Sequence, residues 1–188
     1  MTELHWRAAT DAGSYDGTAL ISVGQGAVHL RTDLPAGTLE NAVATLSWPM
    51  AENEKIFMNG YQTWTECPEL PKWGRQRGTD HIPKFLLDKY AFDRYGDYHF
   101  VRYSKRKGIS HGFSYCYFRR GEHYRLVATL DETPGYTIFY YDAKAAVLRI
   151  ERDCAGVWHG GSVFAAFDLF FACLLYTSPS PRDRQKSR

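Results

Sequence analysis

The feature that most constrains this chain is a series of short β-branched and aromatic runs, set at even intervals and separated by turn residues. In the second half they fall at residues 98–103, 111–118, 122–130, 135–141 and 147–152, with Lys107-Gly108, Arg120-Gly121 and Pro134-Gly135 as turns. Val, Ile, Thr, Tyr and Phe suit a pleated, half-buried surface, and Gly and Pro punctuate it. Strands at this spacing predict an antiparallel sandwich or barrel. The first half continues the pattern: residues 18–31 read as strand, turn, strand around Gly24 and Gly26, and residues 39–48 and 55–58 as a second pair. Helical periodicity is absent from this half. Within 111–118, alternation places Phe113, Tyr115 and Tyr117 on one face and Gly112, Ser114, Cys116 and Phe118 on the other. Both faces are partly apolar, which predicts a strand covered on each side.

Residues 59–97 break this rhythm with an insertion dense in Trp, Tyr, Pro, Gly and Asp, in which only residues 83–90 could hold a short helix. A long irregular stretch inside a β-domain is where function is to be sought. Residues 163–172 return to an apolar run, and the text changes character at Cys173. The string LLYTSPSPRDRQKSR that follows is Ser/Pro-rich and then basic, the composition of a disordered tail. It also resembles translated sequencing-adapter read-through, in which case it has no part in the fold. Residues 1–172 are therefore expected to form the β-domain and residues 173–188 to lie outside it.

At 188 residues, 44% hydrophobic and 23% charged, the chain can bury a real core. The net charge of +2 is misleading, because Arg182, Arg184, Lys186 and Arg188 against Asp183 place +3 in the tail and leave −1 for the body. Nucleic acids and anionic membranes require a clustered basic face, so neither is an expected partner. The first residues lack a secretory pattern and no apolar run approaches the ~18 residues of a membrane span, so a cytoplasmic location is expected.

Cys67, Cys116, Cys154 and Cys173 are widely spaced with no C-x-x-C pair, which predicts neither a disulfide framework nor a zinc site. The seven histidines show neither H-x-x-x-H nor H-E-x-x-H spacing. No metal or cofactor is expected. Gly24-x-Gly26 and Gly160-Gly161 read as turns, because no helix follows them to meet a phosphate. Glu66, Asp80, Asp88, Asp93 and Asp97 sit among Gly, Pro and Tyr, where carboxylates commonly support turns. His81 and His111 are candidates to brace the insertion.

The most informative stretch is Asn59-Gly60-Tyr61-Gln62-Thr63-Trp64. It reads as a strand running into a Gly-permitted turn that presents Tyr61 and Trp64 near a surface. An indole or phenol face covers the C–H face of a pyranose, and Asn59 and Gln62 can hydrogen-bond its hydroxyls. The alternative is that both rings are core aromatics beside a turn.

This block resembles the N-G-Y-Q-S-W loop in the amino-terminal domain of family 36 glycoside hydrolases of the α-galactosidase type. The resemblance continues through His81-Ile82-Pro83-Lys84-Phe85-Leu86-Leu87-Asp88, Asp93-Arg94-Tyr95-Gly96-Asp97-Tyr98, His111-Gly112-Phe113-Ser114-Tyr115-Cys116-Tyr117-Phe118-Arg119 and Glu151-Arg152-Asp153-Cys154-Ala155-Gly156. It covers roughly residues 10–172, with Thr63 where the family more often has Ser. It implies an antiparallel β-supersandwich of the galactose-mutarotase-like kind, normally followed by a catalytic barrel, with Trp64 reaching toward the sugar pocket. Tyr61, Gln62 and Asn59 become substrate-binding candidates, and the implied partners are α-galactosides, the chain's own barrel and further copies in an oligomer. The family's two catalytic aspartates lie on the barrel. Nothing in this sequence matches their motifs, so no catalytic residue is expected here. A competing expectation is a stand-alone, lectin-like sandwich that uses Tyr61, Trp64 and Trp73 as a sugar platform.

Overall fold

The computed structural model describes residues 1–22, 24, 26–60, 67–77, 82–91, 106–133 and 135–175. Two antiparallel sheets of six strands face each other, the sandwich rather than the barrel among the two expected all-β architectures. One sheet holds β1 (Thr2–Thr10), β2 (Gly13–Ile21), β4 (Ala36–Ser47), β7 (Ile109–Phe113), β10 (Tyr136–Asp142) and β11 (Val147–Gly160) in the order β2-β1-β4-β11-β10-β7. The other holds β3 (Gly26–Asp33), β5 (Lys55–Met58), β6 (Leu70–Pro71), β8 (Tyr115–Arg120), β9 (His123–Thr129) and β12 (Val163–Leu175) in the order β3-β12-β9-β8-β5-β6. A short helix of about two turns, α1 (Lys84–Tyr90), follows Pro83 and buries none of its residues, so it adds nothing to the core. Among the described residues no helix is long and apolar enough to cross a membrane.

Period-2 patterning explains which face each strand turns inward. In β1, Leu4 and Ala8 are buried while Glu3, His5 and Arg7 are exposed. Leu46, Leu148 and Ile150 of one sheet meet Ile56, Val127, Phe167 and Phe171 of the other in one continuous core. Trp48 lies at its centre, with its ring centroid 5.5 Å from that of Phe118 and 6.4 Å from that of Phe171. The Tyr141 hydroxyl donates to the Trp48 carbonyl at 3.0 Å, while the buried Trp48 indole N–H has no hydrogen-bond partner among the described residues. Arg152 is fully buried and spans the sheets: it donates to the carbonyls of Ala165 (3.2 Å) and Asp131, and lies 5.6 Å from the Phe167 ring centroid. Burial lowers its pKa, yet a guanidinium stays charged in proteins, and the carbonyl dipoles supply the compensation.

Several expectations are corrected. Residues 111–118 are two strands and not one: Ser114 takes φ +62°, and β7 and β8 on either side of it belong to different sheets. Phe113 consequently joins Ile138 and Tyr140 in a small separate cluster, while Cys116 and Phe118 enter the main core. The strands at 39–48 and 55–58 do not pair, because Trp48 N–H bonds to the Ala146 carbonyl (2.7 Å) and the chain then crosses to the second sheet. β11 runs on to Gly160 through a bulge where Ala155 and Gly156 adopt positive φ, and β12 continues through Cys173 to Leu175 paired with β9. The strand expected at 98–103 lies outside the described residues.

Replacing a fully buried ring costs far more than replacing an exposed one. Phe118→Ala should lose about 3–5 kcal/mol, whereas Phe85→Ala on α1 should stay within about 0.5 kcal/mol. Urea unfolding followed by tryptophan fluorescence measures both.

Candidate functional site

β5 ends at Met58, and the chain passes at once into the sugar-binding candidate Asn59. Three hydrogen bonds fix this residue: its N–H donates to the Tyr115 carbonyl (3.2 Å), its carbonyl accepts from Phe113 N–H (2.7 Å), and Nδ2 donates to the Phe113 carbonyl (3.1 Å). Phe113 and Tyr115 flank Ser114, so Asn59 is clamped at the point where the chain crosses from one sheet to the other. The crossing is held in turn by Ser114, whose Oγ donates to Glu132 Oε1 (2.9 Å) and whose N–H and carbonyl bond Thr137 (3.2 Å) and Thr129 (2.8 Å). Those bonds offset the cost of a left-handed conformation in a residue with a side chain. Gly112 makes the approach possible, since a Cβ there would stand 2.7 Å from the Asn59 carbonyl oxygen and 2.8 Å from Met58 Cβ.

Of the expected sugar contacts, Asn59 is therefore placed, with Oδ1 still without a partner among the described residues. Tyr61, Gln62 and Trp64 lie outside the described residues, as do His81, Glu66, Asp80, Asp93 and Asp97. Asp88 is exposed on α1. Trp73 is half exposed and packs against Gly108, whose N–H bonds the Gly74 carbonyl at 2.8 Å. Gly108 precedes β7 and Asn59 sits at its far end, so the two are roughly 15 Å apart at about 3.3 Å per strand residue. The His111 backbone is tied to the insertion through Gln76, whose side chain accepts from its N–H and donates to its carbonyl, both at 2.8 Å. Gln76 thereby completes the edge of β7 as another strand would.

Beside Asn59, the outer face of β5, β8 and β9 carries an aromatic row that the sequence did not single out. Phe57 stacks on Tyr117 with ring centroids 4.8 Å apart and 10° between the planes, and on Tyr115 at 5.9 Å. Tyr117 meets Tyr124 edge-on at 5.3 Å. Glu69 borders the row, accepting from Tyr117 hydroxyl (3.1 Å), from Arg119 Nε (2.6 Å) and from Arg119 Nη2. The Arg119 hydrogen bonds hold the Glu69 carboxyl below its usual range against the opposing effect of burial. Burial, with the bond to Glu69 next, pushes the Tyr117 phenol up to about 12. A neutral phenol beside a neutralised carboxylate suits binding of hydroxyls and flat C–H faces, and does not suit proton transfer. Tyr115 is the most open ring of the row, at 37% exposure, and Phe57, Tyr117 and Tyr124 are half-buried.

Among the described residues no group of His, Cys, Asp and Glu could hold a metal ion. Comparison with protein-family models, with curated proteins and with solved structures returns no match to this chain.

Gly112→Ala should push Met58 and Asn59 off β7 and destabilise the chain by about 1–3 kcal/mol, with the largest amide shifts at residues 57–60 and 112–116 by NMR. The Glu69 contribution has a defined sign. With its folded pKa depressed, the stabilisation is complete above the unfolded carboxyl pKa of about 4.3 and is lost as pH falls through the lower folded value. Glu69→Gln should therefore show a shallower loss of stability on acidification below about pH 4 than the parent chain in thermal melts.

Proposed function

We propose that this chain is the amino-terminal β-domain of a retaining α-galactosidase of glycoside hydrolase family 36. It is non-catalytic by itself, and it packs on a catalytic barrel to complete the pocket for a terminal α-galactoside. In this reading the segment from Asn59 to Trp64 is the element lent to the pocket, the intact enzyme is a cytoplasmic homo-oligomer, and the two catalytic aspartates come from the barrel. The observation that supports it most is the clamp on Asn59. A segment whose root is fixed by three hydrogen bonds at a sheet crossing can present its side chains to a neighbouring domain in a defined position. The two six-stranded sheets also agree with the sandwich that the resemblance implies.

The reading is tested at the locus and in the tube. Sequencing the gene beyond the codon for Leu175 should find an open frame that continues into a barrel carrying two aspartates. A stop codon soon after would contradict it. The purified chain should hydrolyse a chromogenic α-galactoside no faster than buffer alone, and measurable turnover would contradict the assignment of catalysis to the barrel.

The aromatic row favours a second reading, a stand-alone sugar-binding module that uses Phe57, Tyr115 and Tyr117 as its platform. That module would bind galactose without a barrel, and Tyr115→Ala would weaken binding by about tenfold in a calorimetric titration. Trp73 does not join this platform, being at the opposite end of β7 from Asn59.

A further inference from the structure

The inner face of β8 and β9 begins as core and ends as a basic cleft. Phe118 and Val127 are fully buried. One or two alternations further along the same face come Arg120, Arg125 and His123, with Arg120 directly opposite His123 in the hairpin register. At this end the sandwich opens into a cleft of about 520 Å³, bounded across from the hairpin by Pro49, Met50 and Glu54. That volume falls in the range of small-molecule sites, about 300–1,000 Å³.

The charges in the cleft are unequal. Glu54 is 6% exposed, and its carboxylate is taken up by Arg125 through Nε (3.0 Å) and Nη2 (2.8 Å to each oxygen), with Ala51 N–H adding a bond at 3.1 Å. Arg125 is itself held flat, 4.9 Å from the Trp48 ring centroid and 5.3 Å from that of Phe118, and it also donates to the Pro49 carbonyl at 2.9 Å. The one acid lining the cleft is thus neutralised, and the guanidinium that neutralises it is rigid. Arg120 and His123 are exposed, and among the described residues neither has a hydrogen-bond or ion-pair partner. Glu122, in the turn between them, does not line the cleft.

We propose that this cleft binds a small organic anion of about monosaccharide size, its carboxylate or phosphate gripped by Arg120 and His123 and its body laid against Pro49 and Met50. Arg guanidinium geometry matches either oxyanion, and a second nitrogen donor from the facing strand fixes its position. Glu54 serves as the positioning residue that keeps Arg125, and with it the cleft floor, in place. This site is independent of the α-galactosidase reading and lies on a different face from the aromatic row.

The test is an NMR titration of the labelled 188-residue chain with galacturonate, with galactose 6-phosphate and with galactose. At least one of the two anions should shift the amides of residues 49–54 and 120–125, and the tighter of the two identifies whether the source is a carboxylate or a phosphate. Galactose should leave those amides where they are. Arg120→Gln, at an exposed strand end where folding is not at stake, should weaken anion binding by about tenfold, and Arg120→Lys should recover part of it. The proposal is overturned if neither anion shifts these amides at about 10 mM, if galactose shifts them equally, or if Arg120→Gln binds as the parent chain does.

Discussion

The structure depends on one local constraint, the left-handed turn at Ser114. A strand that leaves one sheet must be re-aimed within a residue or two if it is to enter the sheet opposite, and the φ of +62° at Ser114 does this. Everything nearby is arranged to hold it. Ser114 satisfies its N–H, carbonyl and hydroxyl on β9, β10 and the segment between them, and Asn59 bonds the residues on both sides. Without that turn Phe118 would not reach Trp48, and the aromatic centre of the sandwich would lose one of its two ring partners. The same turn fixes where the segment beyond Asn59 leaves the body of the domain, so packing and the proposed function share one joint.

Two guanidinium groups, Arg125 partly buried and Arg152 fully buried, show different solutions to one problem. Removing a cation from water is costly unless its donors are satisfied. Arg125 is met by the Glu54 carboxylate and lies over aromatic faces at the mouth of the core. Arg152 lies deeper, and its two terminal nitrogens are met by the carbonyls of Ala165 and Asp131 while its Nε has no hydrogen-bond partner among the described residues, with acidic groups contributing only from a distance. The first leaves an electropositive cleft at the end of the sandwich, and the second ties the sheets together at the level of the β11 bulge.

Much of the fold was legible from pattern alone. The strands at 122–130, 135–141 and 147–152, the turns at Gly108, Gly121 and Gly135, and the short helix after Pro83 follow from β-propensity, glycine placement and proline geometry. What pattern could not reveal is sheet membership. Residues 111–118 alternate without interruption, and Ser carries no sign that it will adopt positive φ, so the break is enforced by tertiary bonds and not by local preference. β1 was not read from the sequence: Leu4, Trp6 and Ala8 alternate with Glu3, His5 and Arg7, but the short neighbouring Ala residues dilute the signal. Cys173 to Leu175 pair with β9 because strand pairing is indifferent to the composition that changes there. At the site, Asn59 was legible as a turn residue beside aromatics, while the Phe57, Tyr115 and Tyr117 row depends on cross-strand register that one sequence does not display.

The clamp at the sheet crossing is open to direct observation. Asn59 N–H and Phe113 N–H each donate across the joint, at 3.2 Å and 2.7 Å, and neither belongs to a regular ladder between long strands. If the joint is as rigid as the core it serves, native-state hydrogen exchange will show both amides protected to the same degree as those of Phe118 and Val127. Exchange of Asn59 and Phe113 at the rate of exposed turn amides, with Phe118 and Val127 still protected, would contradict it. The segment from Asn59 to Trp64 would then have no fixed root from which to meet a sugar.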